Sequence, residues 1–148
     1  LYCNPSLIAA ETASALQATR VELDVLLAKA DFVVLQVPYR ADTHHLIGAE
    51  QLATMKPGAV LIHSGRGGVV DDAALAHALR SGHLAAAAVD CVEGEPAVHP
   101  GLLSCPNVLF SPHIGSATPT TRMNMAIMAL KNLSIGLQGG TPPNAVNR

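Results

Sequence analysis

Short apolar runs alternate with helix-like segments along the chain. Buried strands are predicted where β-branched and small apolar residues cluster, at Phe32–Val37, Ala59–Ile62, Leu84–Val89 and Asn107–Phe110. Helices are predicted where apolar residues recur every three or four positions, at 7–18, Val21–Lys29, Ala49–Met55, Asp72–Arg80 and Thr118–Leu137. Residues 39–47 and 93–105 are predicted as loops. This alternation predicts an α/β fold with a parallel sheet and helices on both faces.

Composition narrows the class of protein. The chain has 148 residues, 49% hydrophobic and 14% charged, which suits one soluble globular domain. A net charge of −2 without a run of Lys or Arg argues against nucleic-acid binding. No apolar run approaches the roughly 18 residues of a membrane span, and no secretory signal is visible. Cys3, Cys91 and Cys105 fit no metal-site spacing, so we expect reduced thiols, a cytoplasmic location and no metal.

One glycine-rich stretch follows the central predicted strand. It places Gly65, Gly67 and Gly68 around a single cation, Arg66, and Asp71 or Asp72 can cap the next helix. In an open α/β sheet, ligands bind where loops leave the carboxyl ends of the strands. The guanidinium has the geometry to contact a carboxylate or a polarised carbonyl. A tight turn with a solvated arginine is the other interpretation of this stretch alone.

Three side chains suited to acid–base chemistry stand at or beyond strand ends: Arg66, Glu95 and His113. Histidine exchanges protons near neutral pH, a carboxylate can orient the ring, and arginine can stabilise developing negative charge. Each residue alone has an ordinary structural explanation. Their joint position at successive strand ends favours a site. Asp90 also ends a strand, where a structural hydrogen bond is the alternative role.

The ordered motifs resemble the D-isomer-specific 2-hydroxyacid dehydrogenases over nearly the whole chain. The motifs are Ala30–Val33 with Val37–Pro38, Thr43–Gly48, Met55–Ala59, Gly65–Asp71, Asp90 with Glu95–Pro96, and Ser111–Thr118. The resemblance implies a Rossmann-like, doubly wound parallel sheet. It also implies hydride transfer between a nicotinamide cofactor and a small 2-keto or 2-hydroxy acid, of the glyoxylate, hydroxypyruvate or 2-ketogluconate type.

The resemblance also implies roles for individual residues. Arg66 would bind substrate, His113 would be the acid/base, and Glu95, rather than Glu93, would orient His113. Asp90 matches the position that holds the nicotinamide amide. The residues implied to bind the cofactor are Asn4, Val37, Pro38, Thr43, Ser64, Gly65, Arg66, Asp90, His113 and Gly115. Formate dehydrogenases of this superfamily carry glutamine at the glutamate position, so Glu95 argues against that activity.

Two departures from the family pattern shape the expectations. The Gly-x-Gly-x-x-Gly phosphate loop and the substrate domain of the family have no counterpart here. Residues 1–138 are therefore interpreted as a partial, incomplete dinucleotide-binding domain. Residues 139–148 are interpreted as a tail leading toward an absent substrate domain. The 148-residue chain alone is then expected to be inactive. Asn4 stands where NAD-preferring members carry an acidic residue, and no arginine accompanies it, so the cofactor is NAD or NADP with NADP slightly favoured.

The main hypothesis is therefore a cytoplasmic NAD(P)-dependent dehydrogenase that is a homodimer when full-length. The alternative is a non-catalytic module of the same fold that senses a dinucleotide or contacts other proteins. The sequence leaves the physiological substrate and the direction of the reaction open.

Overall fold

Residues 1–146 are described by the computed structural model. The strands are β1 (Phe32–Leu35), β2 (Val60–His63), β3 (Ala86–Val89) and β4 (Val108–Phe110). The helices are α1 (Ala10–Ala15), α2 (Leu23–Lys29), α3 (Ala49–Thr54), α4 (Asp72–Arg80), α5 (Pro100–Leu103) and α6 (Pro119–Leu137). A short 3₁₀ helix covers Ala41–Thr43.

The strands form one parallel sheet in the order β1-β2-β3-β4. The pairs Phe32–Val60, Val60–Ala86 and Ala87–Val108 set the register. Parallel neighbours require crossover connections, and α3, α4 and α5 lie in the three connections. All four strands therefore end at one edge, which places the loops after β1, β2 and β3 beside one another. The predicted α/β parallel sheet is confirmed.

The core lies against one face of this sheet. Val33, Leu61 and Ala87 point to that face and are almost fully buried. They pack with helical side chains in the same cluster, namely Leu27, Leu52, Leu75, Leu79 and Leu102. On the opposite face of the sheet, side chains of the outer strands are exposed: Phe32 is 68% exposed, and Val34 and Leu109 are also exposed. Within the unit Leu1–Pro112, the helices that join this cluster therefore pack on one face of the sheet.

Several element bounds differ from the predictions. The loop predicted over 93–105 contains α5, which begins at Pro100 after His99 accepts a hydrogen bond from the Gly101 N–H. Strand β1 ends at Leu35 instead of Val37 because the chain turns toward Pro38, which cannot donate to a ladder.

The amino-terminal segment contributes an isolated bridge between Tyr2 and Arg20. The predicted tail reaches past 146, and its last two residues lie outside the described part.

The chain divides into two compact units, Leu1–Pro112 and His113–Arg148. The first contains the sheet and its helices. The second contains α6, whose Thr118 hydroxyl caps the helix by accepting from the Thr121 N–H. No helix among residues 1–146 combines the length and apolarity needed to cross a bilayer.

Candidate active site

The loop that carries Arg66 leaves the carboxyl end of β2. The Ser64 N–H donates to the Leu35 carbonyl at 3.1 Å, which continues the β1–β2 ladder into the loop. The Arg66 Nη1 donates to the Gly65 carbonyl at 2.8 Å. At the end of the loop, Asp71 caps α4 by accepting from the Ala73 and Ala74 amides. Arg66 is thus held between a strand end and a capped helix, as the sequence predicted for this stretch.

Two glycines of this loop allow backbones to approach closely. A Cβ built on Gly67 would lie 2.1 Å from the Val92 carbonyl oxygen and 2.7 Å from its carbon. A Cβ on Gly65 would lie 2.7 Å from the Val37 carbonyl oxygen. Both contacts are with backbone atoms, so rotation of a side chain cannot relieve them. The glycines therefore let the Arg66 loop lie against the segments that follow β1 and β3.

The segment after β3 carries Glu95 and is fixed by its own hydrogen bonds. The Val92 N–H donates to Glu95 Oε1 at 3.0 Å, and the Glu93 N–H donates to Asp72 Oδ2 at 3.0 Å. Burial raises the pKa of Asp72, and the hydrogen bond from the Glu93 backbone acts in the opposite direction. The Cys91 thiol donates to the Gly65 carbonyl at 3.2 Å. These bonds join the Glu95 segment to both ends of the Arg66 loop.

The Cys91 thiol is suited to packing rather than to nucleophilic chemistry. It is 1% exposed, and burial raises its pKa, with the charges of Asp90 and Glu95 adding to the effect. A thiol is a nucleophile as its thiolate, which these surroundings disfavour. Cys91 is a free thiol, as expected from the sequence.

His63 is a polar residue that the sequence analysis missed. It is the last residue of β2, is 2% exposed, and places Nε2 3.0 Å from the Arg66 carbonyl oxygen. Burial lowers its pKa below 6.5, while the bond to Arg66 and the charge of Glu95 oppose that shift. Because a carbonyl oxygen can only accept, Nε2 carries a proton and donates it to the Arg66 carbonyl. Its Nδ1 is buried without a hydrogen-bond partner among residues 1–146.

Asp90 lies at the carboxyl end of β3, where the sequence placed it. Its N–H donates to the His63 carbonyl at 2.8 Å, and its Oδ1 accepts a short hydrogen bond from the Ser111 hydroxyl. The first bond continues the β2–β3 ladder, and the second joins Asp90 to the residue after β4. Asp90 thus presents an oriented carboxylate at the edge where the strands end.

Two further residues predicted to contact the cofactor, Thr43 and Asn4, lie in different regions of the first unit. Thr43 is buried, and its hydroxyl donates to the Pro38 carbonyl at 2.8 Å, which folds the segment after β1. Asn4 is exposed in the amino-terminal segment, where its carbonyl accepts from Arg20 Nε at 3.1 Å. An arginine therefore accompanies Asn4 in the fold, although Arg20 is sixteen positions away from it along the chain.

His113 and Gly115 belong to the second unit, of which His113 is the first residue. His113 has a φ of +51°, in the left-handed region that few non-glycine residues adopt. Such conformations concentrate at functional sites, although the observation alone assigns no role. The roles predicted for Arg66, Glu95 and His113 remain predictions.

The residues at the strand ends fit a nicotinamide cofactor. The family's cofactor carries a carboxamide that needs hydrogen-bond partners, and Asp90 supplies an oriented acceptor. The close backbone contacts at Gly65 and Gly67 bring the Arg66 loop against the segments that follow β1 and β3 at this same edge. Val37, Pro38 and Ser64 would form the adjacent wall.

The fold and these motifs define an NAD-binding domain of an oxidoreductase family. Residues 1–115 match the family model described as D-isomer specific 2-hydroxyacid dehydrogenase, NAD binding domain, and the chain belongs to this family. It is 53% identical over 127 residues to glyoxylate/hydroxypyruvate reductase B of Escherichia fergusonii, covering 85% of this chain and 39% of that protein. It is 50% identical over 139 residues to the protein of the same name from Pectobacterium atrosepticum, covering 93% and 43%.

Solved structures give the same result. A glyoxylate reductase from Paecilomyes thermophila aligns with a TM-score of 0.89 and 37% identity, over 99% of this chain and 44% of that one. An NADPH-dependent glyoxylate/hydroxypyruvate reductase from Sinorhizobium meliloti, in complex with NADP and malonate, aligns with a TM-score of 0.89 and 34% identity, covering 99% and 44%. The chain therefore spans about two fifths of the length of the relatives that it matches.

Proposed function

We propose that the full-length protein carrying this chain is an NAD(P)-dependent oxidoreductase that reduces glyoxylate or hydroxypyruvate, or a similar 2-keto acid. The close contact of Gly67 with Val92 is the observation that carries the proposal, because it brings the Arg66 loop against the Glu95 segment. The names of relatives about 50% identical to the chain support the choice of substrates.

In the proposed mechanism, the nicotinamide when bound supplies the hydride that reduces the keto carbon. Arg66 would contact the keto oxygen and the carboxylate of the substrate, where its guanidinium stabilises negative charge as it develops. His113 would transfer a proton to that oxygen. Glu95 would orient the His113 ring for this transfer.

For the cofactor we favour NADP over NAD. Asn4 leaves the ribose position without the carboxylate that would repel a 2′-phosphate. Arg20 adds a cation there, since its Nε contacts the Asn4 carbonyl. The guanidinium is exposed and suited to a phosphate. The related Sinorhizobium meliloti enzyme is described as NADPH-dependent, which supports this choice.

A homodimer in the cytoplasm completes the proposal. The sequence supports the location through its cysteine usage, and the resemblance supports the dimer. Sedimentation of the purified full-length protein gives the oligomeric state directly, and a monomer at micromolar concentration would contradict that part.

Oxidation of NADPH and NADH by the full-length protein tests the activity. Glyoxylate, hydroxypyruvate and 2-ketogluconate are supplied separately, and formate with NAD serves as the negative control. We expect turnover with at least one keto acid and a higher kcat/KM with NADPH than with NADH. Cofactor binding without turnover of any keto acid would favour the non-catalytic module instead.

A further inference from the structure

The His45 ring lies between two carboxylates. Its Nε2 is 3.0 Å from Glu93 Oε2, and its Nδ1 is 4.0 Å from Asp71 Oδ2. About a third of the His45 side chain is exposed, so solvent screens the pair in part. Glu93 is 48 positions away from His45 along the chain, so no local pattern in the sequence predicts this pair. The fold instead brings the two side chains into direct contact.

The backbone of His45 is fixed to the Arg66 loop. Its N–H donates to the Gly68 carbonyl at 2.8 Å, and Ile47 forms an isolated parallel bridge with Val70. His45 has a φ of +48°, a conformation that neighbouring structure must enforce in a residue with a β-carbon. The ring therefore projects from a segment that is hydrogen-bonded to the Arg66 loop.

Glu93, the partner of His45 in this contact, belongs to the segment that carries Glu95. It lies two residues before Glu95, and its N–H donates to the buried carboxylate of Asp72 at 3.0 Å. The preceding amide, that of Val92, donates to the Glu95 carboxylate itself. Because these bonds are consecutive, a displacement of Glu93 is transmitted to the acceptor position of Glu95.

A metal ion is a poorer explanation of this cluster. His44, His45 and Glu93 offer ligand atoms within 4.8 Å of one another. The two imidazoles are stacked, however, with centroids 3.9 Å apart and planes 24° from parallel. Nitrogen lone pairs lie in the ring planes, so stacked rings cannot direct them at one ion. The Tyr39 hydroxyl also lies 3.3 Å from His44 Nδ1.

We propose that the His45–Glu93 pair positions the Glu95 segment relative to the Arg66 loop, and that His45 is a positioning residue for the reaction. The pair is the side-chain connection on the solvent side of this junction, complementing the backbone contact of Gly67 with Val92. The effect on turnover rests on the proposed function. The effect on the Val92 and Glu93 amides does not.

The test uses His45→Asn, Glu93→Ala and their double variant in the full-length protein. Asparagine tolerates the left-handed conformation of residue 45, so this substitution should not cause misfolding. Its side chain is too short to reach Glu93, so the contact is lost. Glu93→Gln keeps an acceptor for the ring N–H and serves as the conservative variant. His77→Ala on α4 and Glu50→Ala on α3 remove exposed side chains of the same types and are the matched controls.

We expect His45→Asn and Glu93→Ala each to lower kcat by about fivefold to twentyfold, because small misplacements of catalytic groups are costly. The KM for NADPH should stay within about twofold, the double variant should match the worse single variant, and Glu93→Gln should recover most of kcat. Hydrogen exchange of the Val92 and Glu93 amides should accelerate about tenfold, with α4 unchanged.

Three results would overturn the positioning role. One is a lower thermal midpoint with kcat and the two amides unchanged, which describes a structural pair. Another is additive losses in the double variant. The third is stoichiometric Zn²⁺ binding that His45→Asn abolishes and that accounts for the loss of kcat. A parent enzyme without keto-acid turnover would refute the proposed function, and the amide exchange would still decide whether the pair holds the segment.

Discussion

Replacing Gly67 with alanine tests whether the contact between the two loops is needed for activity. The new methyl group would start 2.1 Å from the Val92 carbonyl oxygen and 3.2 Å from the Glu93 nitrogen. The backbone of Gly67 does not lie in the left-handed region, so the substitution adds no conformational strain of that kind. The perturbation is therefore steric and directed at the Glu95 segment.

The size of the effect follows from the distance. The Val92 carbonyl must retreat by about 0.9 Å to reach 3.0 Å, the lower limit for real contacts of this type. Overpacking of this kind costs about 1–3 kcal/mol of unfolding free energy. A displacement near 1 Å at a group that positions a catalytic residue costs on the order of a hundredfold in turnover. Gly67→Ala should lose stability moderately and activity severely.

Urea unfolding followed by far-ultraviolet circular dichroism measures the first quantity, and NADPH oxidation under saturating keto acid measures the second. Gly48→Ala is the matched control, because a Cβ at Gly48 meets its nearest neighbours at an ordinary 3.5 Å. That variant should stay within about 0.5 kcal/mol of the parent. If Gly67→Ala behaved like Gly48→Ala in both assays, the contact would have no part in the site.

Arg66→Lys keeps the positive charge but loses the two-pronged contact of the guanidinium with substrate. The value of kcat/KM should therefore fall about tenfold to a thousandfold, on the order of the loss of one oxyanion-hole donor. Activity within about twofold of the parent would remove Arg66 from the substrate role. Arg20→Gln should raise the KM for NADPH about tenfold and leave that for NADH unchanged, and equal shifts would contradict a phosphate contact. Glu95→Gln should lower kcat for reduction, because the carboxylate proposed to orient the His113 ring is gone; an unchanged kcat would mean that Glu95 does not act on His113. Because burial lowers the pKa of His63 in the folded protein, the unfolded state binds its proton first, and the free energy of unfolding should decline as pH falls below about 6.5. His63→Gln should flatten that decline in urea titrations across pH, and an identical slope would show that His63 does not cause it.

The sequence predicted the parallel sheet because its strands and helices differ clearly in pattern. The runs around Val33, Leu61 and Ala87 are continuous and apolar, as buried parallel strands are, and α4 has a capping aspartate at one end and Gly82 beyond the other. Asp71 is the cap that the structure shows, of the two candidates considered. These signals are local, so they can be read from neighbouring residues.

Features that depend on distant residues were missed. His45 and Glu93 meet across 48 positions, and Arg20 reaches Asn4 across 16. Neither pair has a local spacing that would predict contact. His63 was overlooked because it ends an apolar run, where a histidine has no distinctive pattern. The exposed His99 caps α5 through its ring nitrogen, and α5 is too short to show a periodic pattern in the sequence.

The order of the strands also determines how this sheet can meet other chains. Strand β1 is an outer strand of the described sheet, and its backbone groups facing away from β2 are available to a further parallel strand. The same strand exposes the apolar side chains of Phe32 and Val34. A neighbour added there would gain ladder hydrogen bonds and apolar burial together. In a preparation of the 148-residue chain by itself, β1 is therefore where we expect self-association to begin, and its rate should rise steeply with protein concentration.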